Sequence, residues 1–406
     1  MNILAVVEEF PGASDVFVVE QGSALVHAGY HVTVAAGKRG NTQTIYRQDA
    51  TPRANLTVRS LAPLDSSGVR PLATMLARAV IAIARSMVRS PFGTWRFARR
   101  CRAGGRSALR SNLLKYTQFL AFPADVVHFE SPAMAARYPK LGSLLGLPSV
   151  VTFRANDVRA LEVASDHKRQ ATIEQLRDVR AIQCASNGLA RRTHDALSAT
   201  SDKIRIVRPG VAIARESVDA SPAELPVIAM IAPLRYPAGL EYLLLALARL
   251  RDDGIAFEAR IAGGGPLRAY GKYTASVLGL SENVKWLGPL TTDSMADLLD
   301  TAQIYVTSAL EEDVTRHSVQ AMAHGLAMVT ADVFGCGYTE LVRDGDNGFV
   351  VPSRDVAALA DRLRRLIVDP SESRAMGRSA RERVAAEFSI ESQNRQIDEL
   401  YAKVRA

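Results

Sequence analysis

Cysteine is scarce in this chain, long apolar runs are missing, and one stretch has no acidic residue at all. The three cysteines in 406 residues, Cys101, Cys184 and Cys336, lie far apart, with no C-x-x-C pair or histidine cluster beside them. That pattern points to a reducing compartment and away from structural zinc. The most apolar segment, "LATMLARAVIAIARSMV", is broken by Arg78 and Arg85 within a bilayer-sized window, which argues against a transmembrane helix. In "MNILAVVEEF" the apolar run stops at Glu8 with no basic residues ahead of it, too short for a secretory signal. The expected location is therefore the cytoplasm. No internal repeat or low-complexity tract occurs.

Between Asp65 and Asp125 there is no Asp or Glu, whereas ten arginines and Lys115 fall inside. A basic, partly amphipathic stretch over 66–124 suits an anionic membrane surface, where each cation contributes about 1 kcal/mol. It equally suits a solvated helical face. Nucleic acid is disfavoured, because no nucleic-acid-binding module surrounds the segment.

What is present describes an ordinary globular chain. Apolar residues make up 48% and charged residues 23%, which excludes disorder, coiled coil and collagen. The length suits two domains of about 150 to 200 residues. Short apolar strands alternate with helical segments: "NILAVV", "HVTVAAG", "DVVHF", "PSVVTF" and "RAIQCAS" in the first half, and "VIAMIA", "EARIAGGGP", "NVKWLGP", "IYVTSA", "LAMVTAD" and "GFVVP" in the second. That alternation predicts an α/β protein with a doubly wound parallel sheet in each half. The expected domains are 1–208 and 226–385, joined by a polar linker over 209–225, with a last helix over 386–406.

Ligands of such sheets bind outside the carboxyl ends of the strands, near helix N-termini. Four loops qualify. In "FPGASD", Pro11 and Gly12 allow a tight turn and close backbone approach, although most strand-to-helix loops contain such residues and no G-x-G-x-x-G fingerprint is present. In "TFRANDV", Arg154 and Asp157 can hold an anionic or hydroxyl-rich ligand, or can pair with each other to shape the loop. In "IAGGGP", Gly264, Gly265 and Pro266 leave main-chain groups open to a base or phosphate, or make a plain turn. In "EEDVTRHSVQAMAHG", a helix starts near Thr315, with Asp313 or Thr315 as N-cap. Arg316, His317 and Ser318 occupy its first turn, where free N–H groups favour a phosphate, and Gln320 shares the face of Arg316.

Taken together these segments, with "KIRIVRPGV", "GLEYLLLALARL", "RIAGGGPL" and "ELVRDGDNGFVVP", resemble glycosyltransferase family 4 along nearly the full chain. The resemblance implies a GT-B fold, in which two Rossmann-like domains face a cleft. The N-terminal domain takes the acceptor and the C-terminal one a nucleoside-diphosphate sugar, with the last helix crossing back. It also implies transfer with retention of configuration, no cofactor and no metal. The family's paired glutamates fall on Glu312, assigned to the donor sugar's hydroxyls, and on Gln320, where the family's Glu holds the ribose hydroxyls. A Gln keeps the hydrogen bond but loses its charge, about 1 kcal/mol against 1.5 to 3.

The family's pyrophosphate-gripping arginine and lysine, and the glycine before them, are replaced by Pro233, Ala238 and Ala232. Arg316, with Arg235 and the helix N-terminus, is the expected substitute. Arg154 stands where many members have a His near the sugar's primary hydroxyl, and Glu340 of "GCGYTE" matches the family's glycine-rich loop. The implied function is a hexosyltransferase in polysaccharide or surface-glycan biosynthesis, peripheral on the inner face of the cell membrane, with a glycan or lipid-linked acceptor. The competing expectation is a catalytically silent GT-B protein that binds a glycan, a nucleotide or a partner transferase. A nucleotide-sugar epimerase or phosphorylase of the same architecture fits the segment order less well.

Overall fold

The structure is a computed structural model that describes residues 1–10, 28–39, 55–61, 69–102, 115–197, 201–213, 225–310, 314–333 and 337–405, together with 22, 25, 26, 112 and 113. Gly12 and Glu312 lie outside the described residues, as do parts of the basic segment and of the linker.

The chain forms two compact units. The first holds Met1–Cys184, Thr193–Arg205 and Ile397–Ala406; the second holds Ala185–Arg192 and Ile206–Gln396. The helix Asn187–Leu197 thus begins in the second unit and ends in the first. The final helix, Ile390–Arg405, starts in the second unit and ends in the first.

The first unit carries a seven-stranded sheet of β1 (Asn2–Phe10), β2 (His31–Arg39), β3 (Leu56–Ser60), β4 (Val126–Phe129), β5 (Ser149–Thr152), β6 (Ala181–Cys184) and β7 (Ile204–Ile206), in the order β3-β2-β1-β4-β5-β6-β7. β3 is an addition to the sequence expectations. Its "LTVRS" sits at the sheet edge with one end exposed, so it lacks the continuous apolar run that marks the central strands.

The second unit carries β8 (Val227–Ile231), β9 (Glu258–Ala262), β10 (Val284–Gly288), β11 (Ile304–Thr307), β12 (Ala327–Asp332) and β13 (Gly348–Pro352), in the order β10-β9-β8-β11-β12-β13, with every adjacent pair parallel. "VIAMI" and "IYVT" are buried throughout because helices cover both faces. One apolar layer packs Leu243, Leu247, Leu363 and Leu366 on one face, and another packs Val319, Met322, Leu298 and Val384 on the other.

Strand order reverses between β1 and β4 in the first unit and between β8 and β11 in the second. At such a switch point the two flanking loops diverge to opposite faces and leave a crevice. In the second unit the loops concerned are those after Ile231 and after Thr307.

Candidate active site

Three loops of the second unit meet at its switch point. The loop after β8 is stitched to the glycine loop by Leu234 N–H to Gly264 O (2.8 Å) and Leu267 N–H to Leu234 O (2.9 Å). It is stitched to the loop after β11 by Ser308 Oγ to Gly239 O (2.9 Å) and Leu310 N–H to Pro237 O (2.8 Å). A side chain on Gly263 (φ 125°) or Gly265 (φ 147°) would run into the carbonyls of Ala232 and Leu234. The glycines therefore serve first to let one loop lie against the next. The missing side chain of Gly265 thus makes room for a neighbouring loop. Gly264 abuts Pro289, and Pro266 leads into the helix Leu267–Val277.

The helix Arg316–Ala323 starts at this corner. Thr315 is its N-cap, with Oγ1 accepting the Ser318 N–H at 3.2 Å. Ser318 is fully buried, and its hydroxyl bonds to Thr315 Oγ1 (2.9 Å) and Tyr338 Oη (3.1 Å). Ser318 was expected to touch a donor by its first-turn position; instead both its polar groups are spent inside the fold.

Arg316 is half-buried and donates from Nη1 to the carbonyl of Gly210 at 2.8 Å. His317 has its pKa pushed down by burial and by the neighbouring Arg316 guanidinium, so it is neutral at pH 7 and adds no charge to the corner. Gln320, one turn on from Arg316, has a buried Oε1 without a hydrogen-bond partner among the described residues. A buried acceptor left unsatisfied costs about 1 to 3 kcal/mol.

Of the two positions where the family has phosphate-gripping cations, Pro233 is exposed and Ala238 is closed off. Ala238 is fully buried in the turn Tyr236–Ala238, and Ala232 is nearly so. Arg235, at the start of that turn, is exposed. Nearby, the Glu340 carboxylate accepts the Asn187 N–H (3.0 Å), Asn187 Nδ2 (2.7 Å) and the Gly188 N–H (2.5 Å), capping the helix Asn187–Leu197. Arg383 Nε in turn donates to the Leu341 carbonyl at 3.0 Å, holding the short helix that carries Glu340.

The first unit has its own polar cluster at the carboxyl ends of β4 and β5. Arg154 Nη2 lies 4.0 Å from the largely buried Glu130 carboxylate. Asp157 Oδ2 accepts the main-chain N–H of Arg154 at 2.9 Å, closing a capping box on the helix Ala155–Glu162. Asp157 thus caps the helix through one carboxylate oxygen. Burial raises its pKa, an effect opposed by that hydrogen bond and by the Arg154 charge. Beneath them His128 is fully buried between Tyr401 Oη (2.7 Å) and Thr152 Oγ1 (2.8 Å). Desolvation lowers its pKa to about 3, so it stays neutral.

Superposition on known structures matches both units. Anabaena HepE, solved in complex with UDP, aligns with a TM-score of 0.73 at 17% identity over 99% of this chain and 100% of that one. Sucrose-phosphate synthase from Thermosynechococcus elongatus aligns with a TM-score of 0.71 at 18% identity, covering 99% and 98%. The fold is GT-B.

Residues 215–383 of this GT-B chain match the family model described as glycosyl transferases group 1. The chain is 26% identical over 408 residues, 97% of each sequence, to WcaL of Escherichia coli, a glycosyltransferase named for colanic acid biosynthesis. It is 25% identical over 415 residues, 98% of each, to the amylovoran biosynthesis glycosyltransferase AmsK of Erwinia amylovora. Together these matches support a GT-B glycosyltransferase. Sequence reasoning did not single out Glu130, His128, Tyr401, Tyr338 or Gly210. Only the glutamate ending "DVVHFE" had a detectable signal, a carboxylate just past a buried strand.

Proposed function

We propose that the protein transfers a sugar from a nucleoside-diphosphate donor to a hydroxyl of a polysaccharide or glycolipid under construction. The anomeric configuration is retained and no metal takes part. The observation that carries this reading is the β8/β11 corner, where a capped helix N-terminus presents Arg316 and, one turn later, the unsatisfied Gln320 oxygen. A ribose hydroxyl donated to that oxygen would relieve its burial. The UDP bound to HepE and the polysaccharide roles of WcaL and AmsK support the donor and acceptor classes.

In this reading Gln320 holds the ribose. Arg316, fixed by its bond to Gly210, faces the diphosphate together with the helix N–H groups and Arg235. A guanidinium has five N–H donors in a fixed plane, so the bond to the Gly210 carbonyl sets its orientation. Glu312 holds the donor sugar's hydroxyls, and Gly264, Pro266 and His317 line the nucleotide. Gly12 contributes to donor binding, and Arg154 meets the donor sugar near its primary hydroxyl. The acceptor oxygen bonds to the anomeric carbon on the face from which the diphosphate leaves, and the departing phosphate oxygen takes the acceptor's proton. Such chemistry depends on positioning and phosphate stabilisation more than on a protein base. The basic segment 66–124 holds the enzyme at the inner face of the cell membrane.

Calorimetric titration with UDP, GDP and ADP and their sugars tests this. One nucleoside diphosphate should bind saturably, with slow donor hydrolysis that EDTA leaves unchanged. Absence of binding by all three would overturn it and favour a silent GT-B protein, the reading favoured by the uncharged residues Pro233, Ala238 and Gln320 at the positions of the family's Arg, Lys and second Glu.

A further inference from the structure

The basic segment of the first unit carries an exposed apolar patch beside a cavity. The helix Val69–Arg89 packs on the turn Thr117–Ala121 and on the helix Pro91–Arg102. Among the described residues it exposes Val88 at 88% and Val80 at 65%, and the next helix continues the patch with Phe92 at 64% and Trp95 at 55%. Arginines accompany the rings. Arg96 lies 4.9 Å from the centre of Phe92 and Arg99 lies 5.5 Å from that of Trp95. Exposed aromatics flanked by cations suit the boundary between headgroups and acyl chains.

Beside this patch a cavity of about 810 Å³ opens between the end of β3, the helix Val69–Arg89 and the turn Thr117–Ala121. Its size is that of sites that enclose a small molecule. Arg59 and Arg85 supply two cations, and Ile81, Ala84, Val88 and Phe122 supply apolar wall. No carboxylate is among its described lining residues, and none occurs in the sequence between Asp65 and Asp125. A free sugar phosphate would need more neutral hydrogen-bonding groups than Ser60 and Gln118 provide. Two cations beside a hydrocarbon wall match an amphiphile with an anionic head.

We propose that this cavity seats one anionic phospholipid of the bilayer, with its phosphate on Arg59 and Arg85 and one chain along Ile81, Val88 and Phe122. Met87, Phe92 and Trp95 rest in the surrounding interface. This site is distinct from general electrostatic adhesion, because it is saturable and selects charged head and apolar chain together. It stands whether or not the second unit takes a nucleotide.

The test uses the full chain and dodecyl phosphate below its micellar concentration, with dodecyl maltoside and inorganic phosphate as controls, read by calorimetry. One-to-one binding of dodecyl phosphate is expected, at least tenfold tighter than dodecyl maltoside, with no binding of inorganic phosphate. The double variant Arg59→Ala/Arg85→Ala should weaken it at least tenfold, and Ala84→Trp, which fills the cavity from an exposed helix position, should abolish it. Phe92→Ala/Trp95→Ala should lower partition onto anionic vesicles while leaving dodecyl phosphate affinity intact. Thermal melts establish that each variant is folded. Equal affinity for the charged and uncharged amphiphiles, unsaturable binding, or wild-type binding by a folded Ala84→Trp protein would each overturn the proposal.

Discussion

Replacing Gln320 by Glu exchanges a neutral acceptor for an ionised one at the position proposed to hold the donor's ribose. The Gln320 Oε1 is buried and has no partner among the described residues, so a donor hydroxyl placed there meets an acceptor with unspent capacity. A neutral hydrogen bond contributes about 1 kcal/mol and one to a charged group about 1.5 to 3, so the exchange adds about 0.5 to 2 kcal/mol. Two features bear on whether the carboxylate ionises. Burial opposes it, whereas Arg316 one turn earlier on the same face favours it. Gln320→Glu should therefore tighten nucleoside-diphosphate binding about 2- to 30-fold, and Gln320→Ala should weaken it about fivefold. Calorimetry gives the dissociation constants and a urea melt reports folding. If both variants fold and bind the nucleotide as the wild type does, Gln320 does not touch the donor and the assignment of this corner fails.

Arg316→Ala should lower donor turnover about 10²- to 10³-fold, corresponding to about 3 to 4 kcal/mol of transition-state stabilisation, as read by release of the nucleoside diphosphate. An unchanged rate would remove Arg316 from the phosphate site. Gly239 adopts φ 64° and a side chain there would collide with the Ser308 carbonyl, so Gly239→Ala should destabilise the second unit by about 2 kcal/mol or more in urea denaturation. Glu340→Ala leaves three donors of Asn187 and Gly188 without their acceptor and should cost about 2 kcal/mol, with Glu340→Gln costing less. The folded pKa of His128, about 3, is below the unfolded value near 6.5, so its neutral form is required. Stability should then decline as pH falls from about 6.5 toward 3, by up to about 1.4 kcal/mol per pH unit from this group. His128→Gln should show a shallower decline than wild type in denaturant midpoints at pH 7, 5.5 and 4.5; parallel curves would refute the buried neutral histidine.

Much of the fold was legible because buried parallel strands announce themselves as short β-branched runs between amphipathic helices. "VIAMI", "IYVT" and "GFVVP" lie where the pattern put them, and Thr315 caps its helix as one of two candidates. β3 was not legible, since an edge strand needs only one covered face. Roles were harder to read than elements. "IAGGGP" could mean a ligand or a neighbouring loop, and only the collision with the Ala232 and Leu234 carbonyls decides for the loop at Gly263 and Gly265. Ser318 and Asp157 carried polar groups at promising positions, and only the structure showed the buried hydroxyl contacts of one and the helix-capping bond of the other.

By itself the sequence determined the alternation of strands and helices, the acid-free basic segment, and the exchange of the expected Glu, Arg and Lys for Gln320, Pro233 and Ala238. These are properties of residue type and local spacing, which periodicity and charge express directly. Tertiary structure alone decided that Arg316 reaches the Gly210 carbonyl, that Glu340 caps a helix beginning at Asn187, and that His128 sits against Tyr401. Those contacts join residues more than a hundred positions apart, and their strength comes from exclusion of water and from exact distance, neither of which is written in the order of the chain.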